Sequence, residues 1–303
     1  MPILFLTQIV IGGICVMGNK KIGLVVEGGG MKCAYGAGIL DRLLDEKAAF
    51  DYCIGVSAGA ANAASFLAGQ RERNLRFYTI HVKDPHYISV RNYLHDGQVF
   101  GLQYIYGTMS NAGGIDPLDY DAVMANPCEY EIVATDAKTG RARYFNKSDL
   151  RRDDYTPIMA SSALPVFCKP VEYGNRFYFD GGVSDSIPVR RAFEKGCDKV
   201  VVILSKPRSF RKEPEKHRRI YARKLKEYPG MVKAIDNRHI MYRREIALLK
   251  KAEGTGRAFV FAPPDSLKIN TFTKDPEVEQ HLYDLGIQDF NRQHYELLKF
   301  MKC

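Results

Sequence analysis

A serine flanked by small residues stands between an apolar run and an alanine-rich segment. Gly55, Ser57 and Gly59 form a GxSxG pattern between residues 52–56, which are typical of a strand, and residues 58–67, which favour a helix. A serine on such a tight turn needs small residues on both sides, because the positions two away press against the strand and helix backbones. Its hydroxyl then points out of the turn, where the helix amino terminus stabilises a nearby anion. The pattern predicts a nucleophile at Ser57.

Three consecutive glycines occupy a second junction between a strand and a helix. Gly28, Gly29 and Gly30 are followed by Met31 and Lys32. Consecutive glycines leave the backbone N–H groups unobstructed and allow positive φ, so the loop is suited to wrap an oxyanion or a phosphate. Lys32 adds a positive charge to the same neighbourhood.

A dinucleotide site is an alternative use of these glycines. Gly28, Gly30 and Asp51 imitate a GxGxxG fingerprint with an acid about 20 residues further on. Cys33 interrupts that fingerprint at its third glycine. This alternative predicts saturable binding of NAD or ATP at the loop.

An aspartate follows a short aromatic strand. Asp180, Gly181 and Gly182 come directly after residues 177–179. A carboxylate at a strand end can project into a cleft and accept the serine proton, whereas an ordinary Asp-Gly turn is the alternative. Because the carboxyl ends of parallel strands line one crevice, we expect Asp180, the glycine loop and Ser57 to converge.

Strand and helix patterns alternate along the chain. Strands are predicted at residues 22–27, 52–56, 130–135, 177–179, 199–204 and 257–261. Helices are predicted at residues 31–47, 58–67, 118–124, 189–195, 231–251 and 275–300, the last two without recognisable chemistry. Residues 85–114 show no clear period and predict an irregular excursion. The alternation predicts an α/β fold, a three-layer sandwich whose mostly parallel central sheet carries helices on both faces.

As a set, these motifs resemble those of the patatin-like phospholipase family, the bacterial-type serine lipid acyl hydrolases. The resemblance covers about residues 22–204 and includes residues 160–165 (ASSALP), which are similar to the ASxAxP segment of that family. It implies a patatin-like fold, with residues 28–32 as the oxyanion loop and Lys32 where arginine is more frequent. Cys33 replaces the usual last glycine of the loop and is expected to narrow the oxyanion hole.

The resemblance also implies a reaction. Asp180 takes the proton of Ser57, which attacks an ester carbonyl while N–H groups near Gly29 and Gly30 hold the oxyanion. Water then releases the acyl group, and neither a metal nor a cofactor is expected. The substrate implied is a phospholipid or another acyl ester. A hydrolase is predicted, although the motifs by themselves do not separate a hydrolase from a transacylase.

Two alternative interpretations assign other roles to this part of the chain. A Ser-His-Asp triad would draw on one of the seven histidines at positions 81, 86, 95, 217, 239, 281 and 294. None of these lies at a glycine-flanked strand end, and only two predicted strands precede Ser57, so the dyad is favoured. The other reading is a catalytically weak module that binds a lipid or a membrane surface.

Much of the net charge of +9 lies in one segment of the chain. Residues 206–226 contain ten basic residues against two acids. Such a segment can rest on anionic phospholipid headgroups, with a solvated face and nucleic-acid binding as alternatives. Its aromatic residues are too sparse for a stacking platform, so no nucleic acid is expected.

The amino-acid composition limits the classes of protein to which the chain can belong. The 303 residues include 46% hydrophobic and 26% charged residues, which is ordinary globular usage. Seven cysteines without a CxxC pair predict reduced thiols in a cytoplasmic protein rather than disulfides or a zinc site. We expect one domain at residues 21–303, with core motifs at 22–204 and a basic, helical part at 205–303.

The amino-terminal residues 1–20 form an apolar extension before this domain. Residues 2–18 are almost uncharged and are followed by Lys20 and Lys21, without the flanks of a secretory signal. Gly12 and Gly13 interrupt the run. An inert extension or a start at Met17 is favoured, with a peripheral anchor and membrane insertion as alternatives. Each predicts an intracellular domain, cytoplasmic or peripherally membrane-associated.

Overall fold

A central β-sheet organises the structure, a computed structural model that describes residues 20–265 and 271–302. Within these residues the eight strands are β1 (Ile22–Val26), β2 (Tyr52–Val56), β3 (Glu129–Asp136), β4 (Ala142–Asn146), β5 (Val171–Tyr173), β6 (Arg176–Asp180), β7 (Lys199–Ile203) and β8 (Ala258–Phe261). The helices of the same residues are α1 (Ala34–Asp45), α2 (Ala58–Leu67), α3 (Arg73–Thr79), α4 (Val90–Asp96), α5 (Leu102–Tyr104), α6 (Tyr120–Ala125), α7 (Thr156–Ser161), α8 (Val189–Glu194), α9 (Arg218–Lys224), α10 (Pro229–Gly254) and α11 (Pro276–Lys302). Apart from Lys20, the predicted extension at residues 1–20 lies outside the described residues.

The sheet is parallel at its centre and antiparallel at one side. Its strand order is β5-β6-β3-β2-β1-β7-β8, with β4 paired to β3. Strands β3, β2, β1, β7 and β8 run parallel, whereas β4, β5 and β6 pair antiparallel. Every residue of β1, β2 and β7 is buried, as parallel strands covered on both faces require. The predicted α/β sandwich with a mostly parallel sheet is confirmed.

Alternate residues of the central strands face two separate cores. Leu24 and Val26 of β1 join the core under α1, α2 and α11, whereas Val25 joins the core under α8 and α10. Because side chains alternate across a strand, one short apolar run supplies both layers. The strand ends are therefore held between two packed helix layers.

Helices α1 and α11 approach each other at two glycines. A Cβ atom on Gly38 would lie 2.1 Å from the Tyr283 carbonyl oxygen, and one on Gly286 would lie 2.1 Å from the Tyr35 carbonyl oxygen. Beside this crossing, the Tyr283 hydroxyl donates to a carboxylate oxygen of Asp41 at 2.7 Å. The two backbones thus touch without intervening side chains, and α11 closes this face of the sheet.

Two of the predicted elements differ from the structure. The predicted helix at 31–47 begins as a 3₁₀ turn over Gly30–Cys33, and α1 then ends at Asp45. The prediction of an irregular excursion at 85–114 was wrong, because the stretch holds α4, α5 and a π-helical turn over Ile105–Met109. A π turn bonds i to i+5 and α4 buries no residue, so neither displays the apolar period of an α-helix.

The contact between α1 and α11 leads to a stability prediction. We expect Gly38→Ala to lower the free energy of unfolding by about 1–3 kcal/mol, because its methyl group overpacks against a backbone carbonyl. The matched control is Gly254→Ala at the end of α10, where no atom lies near a Cβ position. The control should leave stability unchanged or raise it by up to about 1 kcal/mol. Urea unfolding measures both, and equal effects would contradict the helix contact.

Candidate active site

Ser57 occupies a strained turn between β2 and α2. Its φ is 55° and its ψ is −131°, a conformation that residues with a Cβ atom rarely adopt. The Ser57 N–H donates to the Ser161 hydroxyl at 2.7 Å, and the side chain of Ser57 lines an apolar cavity. The strand-turn-helix context predicted for this residue is therefore present.

Glycine is required on both sides of this serine. A Cβ atom on Gly55 would lie 2.5 Å from the Cα atom of Ala60, and one on Gly59 would lie 2.5 Å from the Glu27 carbonyl oxygen. The first turn of α2 thus rests directly on the end of β1. Any larger residue at either position would push the helix away from the sheet.

The glycine loop lies beside the serine. A Cβ atom on Gly28 would lie 2.9 Å from the Cβ atom of Ser57. Among the described residues, no backbone hydrogen bond uses the N–H of Gly29 or Gly30, whereas the Met31 N–H donates to the Thr271 carbonyl at 3.3 Å. Of the predicted oxyanion residues, Gly29 and Gly30 therefore have N–H groups that no described backbone acceptor engages, whereas the N–H of Met31 is engaged.

Lys32 and Cys33 turn away from the cavity. Lys32 is half-buried, and its pKa is lowered by burial and by the charge of Lys206. The Cys33 thiol is buried and donates to the Glu27 carbonyl at 3.5 Å, and burial raises its pKa. Neither side chain lines the cavity beside Ser57, and the narrowing of the oxyanion hole by Cys33 stays a prediction.

Asp180 is fixed by its own backbone and by the following turn. Its N–H donates to the Ala163 carbonyl at 2.8 Å, and its carbonyl accepts from the Thr135 hydroxyl at 2.8 Å. The Gly182 N–H donates to Oδ1 of Asp180 at 2.7 Å. Oδ2 is buried without a hydrogen-bond partner among the described residues. One carboxylate oxygen is therefore available.

The environment of Asp180 sets its charge. Burial raises the pKa of its carboxyl, while the Ser57 hydroxyl, the Arg238 guanidinium and the Gly182 N–H each lower it. Ser57 and Asp180 thus lie close enough to interact, although no hydrogen bond of ordinary length and angle joins them. Such bonds are often long in sites without substrate.

A serine and an alanine of the ASSALP segment bind the backbone N–H groups of Ser57 and Asp180. The Ser161 hydroxyl donates to the Val133 carbonyl at 2.5 Å and accepts from the Ser57 N–H. Two residues later, the Ala163 carbonyl accepts the Asp180 N–H. Residues 160–165, recognised only by resemblance, thus brace both strand ends.

Arg238 of α10 is a site residue that the sequence analysis missed. Its Nε donates to the Gly182 carbonyl at 2.6 Å, and its Nη1 lies 3.2 Å from a carboxylate oxygen of Glu215. The neighbouring Gly181 is also constrained, since a Cβ atom there would lie 2.1 Å from the Val133 carbonyl oxygen. The sequence of residues 231–251 gave no sign of this role, because no local motif marks an arginine whose partners are distant in the sequence.

The other candidate sites are placed elsewhere. His81 bonds to Asp116 at 2.9 Å and His86 to Asp84 at 2.9 Å, and no hydrogen bond of a described histidine reaches Ser57. No group of three or more His, Cys, Asp or Glu residues within 20–265 and 271–302 is placed to hold a metal. The five described cysteines, at positions 33, 53, 128, 168 and 197, are free and buried.

The basic segment is partly neutralised. Ion pairs join Lys206 to Glu27, Arg208 to Glu253, Lys212 to Glu215 and Arg218 to Asp236. These pairs reduce the charge that the segment presents, so its contact with a membrane stays a prediction. In the described part of the chain, no helix has the length and apolar character to span a bilayer.

Comparison with known proteins gives the family. The model of the patatin-like phospholipase family matches residues 24–193, more than half of the chain, so the chain belongs to this family. Membership supports a lipid acyl hydrolase, with lipid as substrate, at the level of the family. A second model, of a domain of unknown function (DUF6363), matches residues 228–302.

Two individual proteins are similar to the chain. The uncharacterized protein YjjU of Escherichia coli (strain K12) is 26% identical over 268 residues, which span 82% of this chain and 70% of YjjU. Among solved structures, VipD from Legionella pneumophila is 12% identical with a TM-score of 0.42, over 91% of this chain and 67% of that chain.

The brace around Ser161 leads to a second stability prediction. We expect Ser161→Ala to lower the free energy of unfolding by about 1–3 kcal/mol, because it leaves the buried Ser57 N–H and the Val133 carbonyl unpaired. The control is Ser209→Ala, whose serine is exposed. Chemical denaturation measures the free energy of unfolding of both variants. If Ser161→Ala is as stable as the control, the hydrogen bonds of Ser161 contribute nothing to stability.

Proposed function

We propose that the protein is a serine lipid acyl hydrolase of the phospholipase A or esterase kind, with Ser57 as nucleophile and Asp180 as general base. One observation carries the proposal: Oδ2 of Asp180 is buried with no hydrogen-bond partner among the described residues, and Ser57, whose hydroxyl lowers the pKa of Asp180, is held in a strained turn at an apolar cavity. The family supports the reaction class. We further propose that residues 21–303 act as one domain.

The reaction proceeds in two steps. Oδ2 of Asp180 takes the Ser57 proton while Oγ attacks the ester carbonyl, and the N–H groups of Gly29 and Gly30 stabilise the oxyanion. The alcohol leaves with that proton, and an acyl-enzyme remains. Water then gives a proton to Asp180 and attacks the acyl-enzyme, and the proton returns to Ser57 as the fatty acid departs.

Replacing the two proposed catalytic residues tests the dyad. We expect a fluorophosphonate probe to label the wild type but not Ser57→Ala, because the probe bonds to the activated serine. Hydrolysis of a short p-nitrophenyl ester should vanish in Ser57→Ala and fall at least about a hundredfold in Asp180→Asn, which cannot accept the proton. Ser209→Ala and Asp96→Asn are the matched controls at exposed positions and should retain activity.

The opposite result has a definite meaning. A folded wild type that neither labels nor turns over would contradict the dyad and favour the lipid-binding module. Sedimentation with anionic liposomes, before and after neutralising residues 206–226, would then test that module.

The pH dependence tests the environment of Asp180. The base works only when it is deprotonated, so activity should fall as the pH drops through the pKa of Asp180, which burial holds above its ordinary value. Arg238→Gln removes a positive charge that lowers this pKa, so the acid limb of kcat/KM should move to higher pH. Arg238→Lys should restore part of the shift.

A control on the same helix makes this result specific. Arg243 pairs with Glu213 at 3.1 Å on the exposed side of α10. The Arg243→Gln variant should keep the wild-type pH profile. An equal shift in both glutamine variants, or no shift in either, would show that Arg238 does not tune the base.

A further inference from the structure

The apolar cavity follows helix α2 away from the serine. Ala58, Ala61 and Ala64 line it, and their spacing places them on one face of that helix. Facing them are larger apolar side chains: Phe77, Tyr87, Leu102, Ile105 and Ile158. Methyl groups on the helix side leave the space between these walls open.

Buried polar groups close the far end of the cavity. Arg73 is 5% exposed and donates to the Ser65 hydroxyl at 2.9 Å, to the Ser110 hydroxyl at 3.0 Å and to the Asp116 carbonyl at 2.8 Å. Its Nε donates to the Pro117 carbonyl at 3.3 Å. Four of the five guanidinium N–H groups are thereby engaged. The side chain forms a fixed floor.

Helix geometry gives the depth of the cavity. Ser65, which binds the floor, follows Ser57 by eight residues along α2. At a rise of 1.5 Å per residue, the floor lies about 12 Å from the serine along the helix axis. An extended chain advances about 1.2 Å per bond, because the three backbone bonds of one residue span about 3.5 Å. About ten bonds fit between the serine and Arg73.

We propose that this cavity binds the acyl chain of the substrate and limits it to about ten carbon atoms. The inference rests on the proposed function, since the acyl carbonyl must sit at Ser57. Each methylene buried against the apolar walls improves kcat/KM by up to about fourfold. A longer chain must either displace the hydrogen-bonded Arg73 or leave its end in water.

A series of p-nitrophenyl esters from butanoyl to hexadecanoyl, in one detergent, tests the limit. We expect kcat/KM of the wild type to rise up to the decanoyl ester and to fall at least about tenfold by the tetradecanoyl ester. In Ala61→Leu, the larger side chain blocks the cavity about 6 Å from Ser57. The optimum should therefore move to the butanoyl or hexanoyl ester.

Ala68→Leu is the matched control. It makes the same change on the turn after α2, beyond the floor at Ser65, where the residue does not line the cavity. Its chain-length profile should match that of the wild type. If Ala61→Leu does not fold, as thermal melting would show, Ala61→Val should give a smaller shift in the same direction.

The outcomes separate this inference from the proposed function. Fluorophosphonate labelling and butanoyl turnover report the dyad independently of chain length. Undiminished wild-type rates up to the hexadecanoyl ester, or an optimum unchanged in the Ala61 variants, would overturn the chain limit and leave the dyad intact. Absence of both labelling and turnover in the wild type would overturn both.

Discussion

The structure depends on direct backbone contact at the carboxyl ends of β1 and β2. At Gly28 and Gly59, a Cβ atom would lie 2.7 Å or less from a carbonyl oxygen of the neighbouring strand end. The pairing of Val26 with Gly55 brings these ends level, and α2 can begin only because no side chain intervenes. Ser57 takes positive φ in this arrangement, at a cost of about 1–3 kcal/mol that the packed sheet must offset.

The strand arrangement that positions Asp180 differs from the one that the sequence suggested. The expectation of convergence assumed parallel strands, but β6 is antiparallel to β3. It pairs only with the last three residues of β3, so that Asp180 lies opposite Ala134 while Val133 lies opposite Val56. The short overlap between β6 and β3, rather than strand direction, therefore sets the position of Asp180 relative to the end of β2.

The sequence was most informative where local constraints act. Buried parallel strands and glycine turns carry their own signatures, so β2 and α2 could be predicted to the residue. The short strands β4 and β5 were missed because they are partly exposed and lack a clear alternation. The brace by Ser161 could be located only by resemblance, because a serine in a helix has no local sign of its partner.

The missed contacts all come from chain segments distant from the motifs they support. The Ser205 hydroxyl donates to the Gly28 carbonyl at 2.7 Å, the Thr271 carbonyl accepts the Met31 N–H, and Arg238 holds the turn after Asp180. These residues lie outside residues 24–193, which match the patatin-like family.

Both loops of the candidate site are therefore supported from the carboxyl-terminal part of the chain. Arg238 lies within residues 228–302, the stretch matched by the domain of unknown function. It holds the Gly182 carbonyl while the Gly182 N–H holds Asp180, so its charge and its hydrogen bond act on the same carboxylate. A positive charge this close to a buried carboxyl favours its ionised form, which a general base requires. The α10 helix is thus part of the electrostatic environment of the site and not only a cover for the sheet.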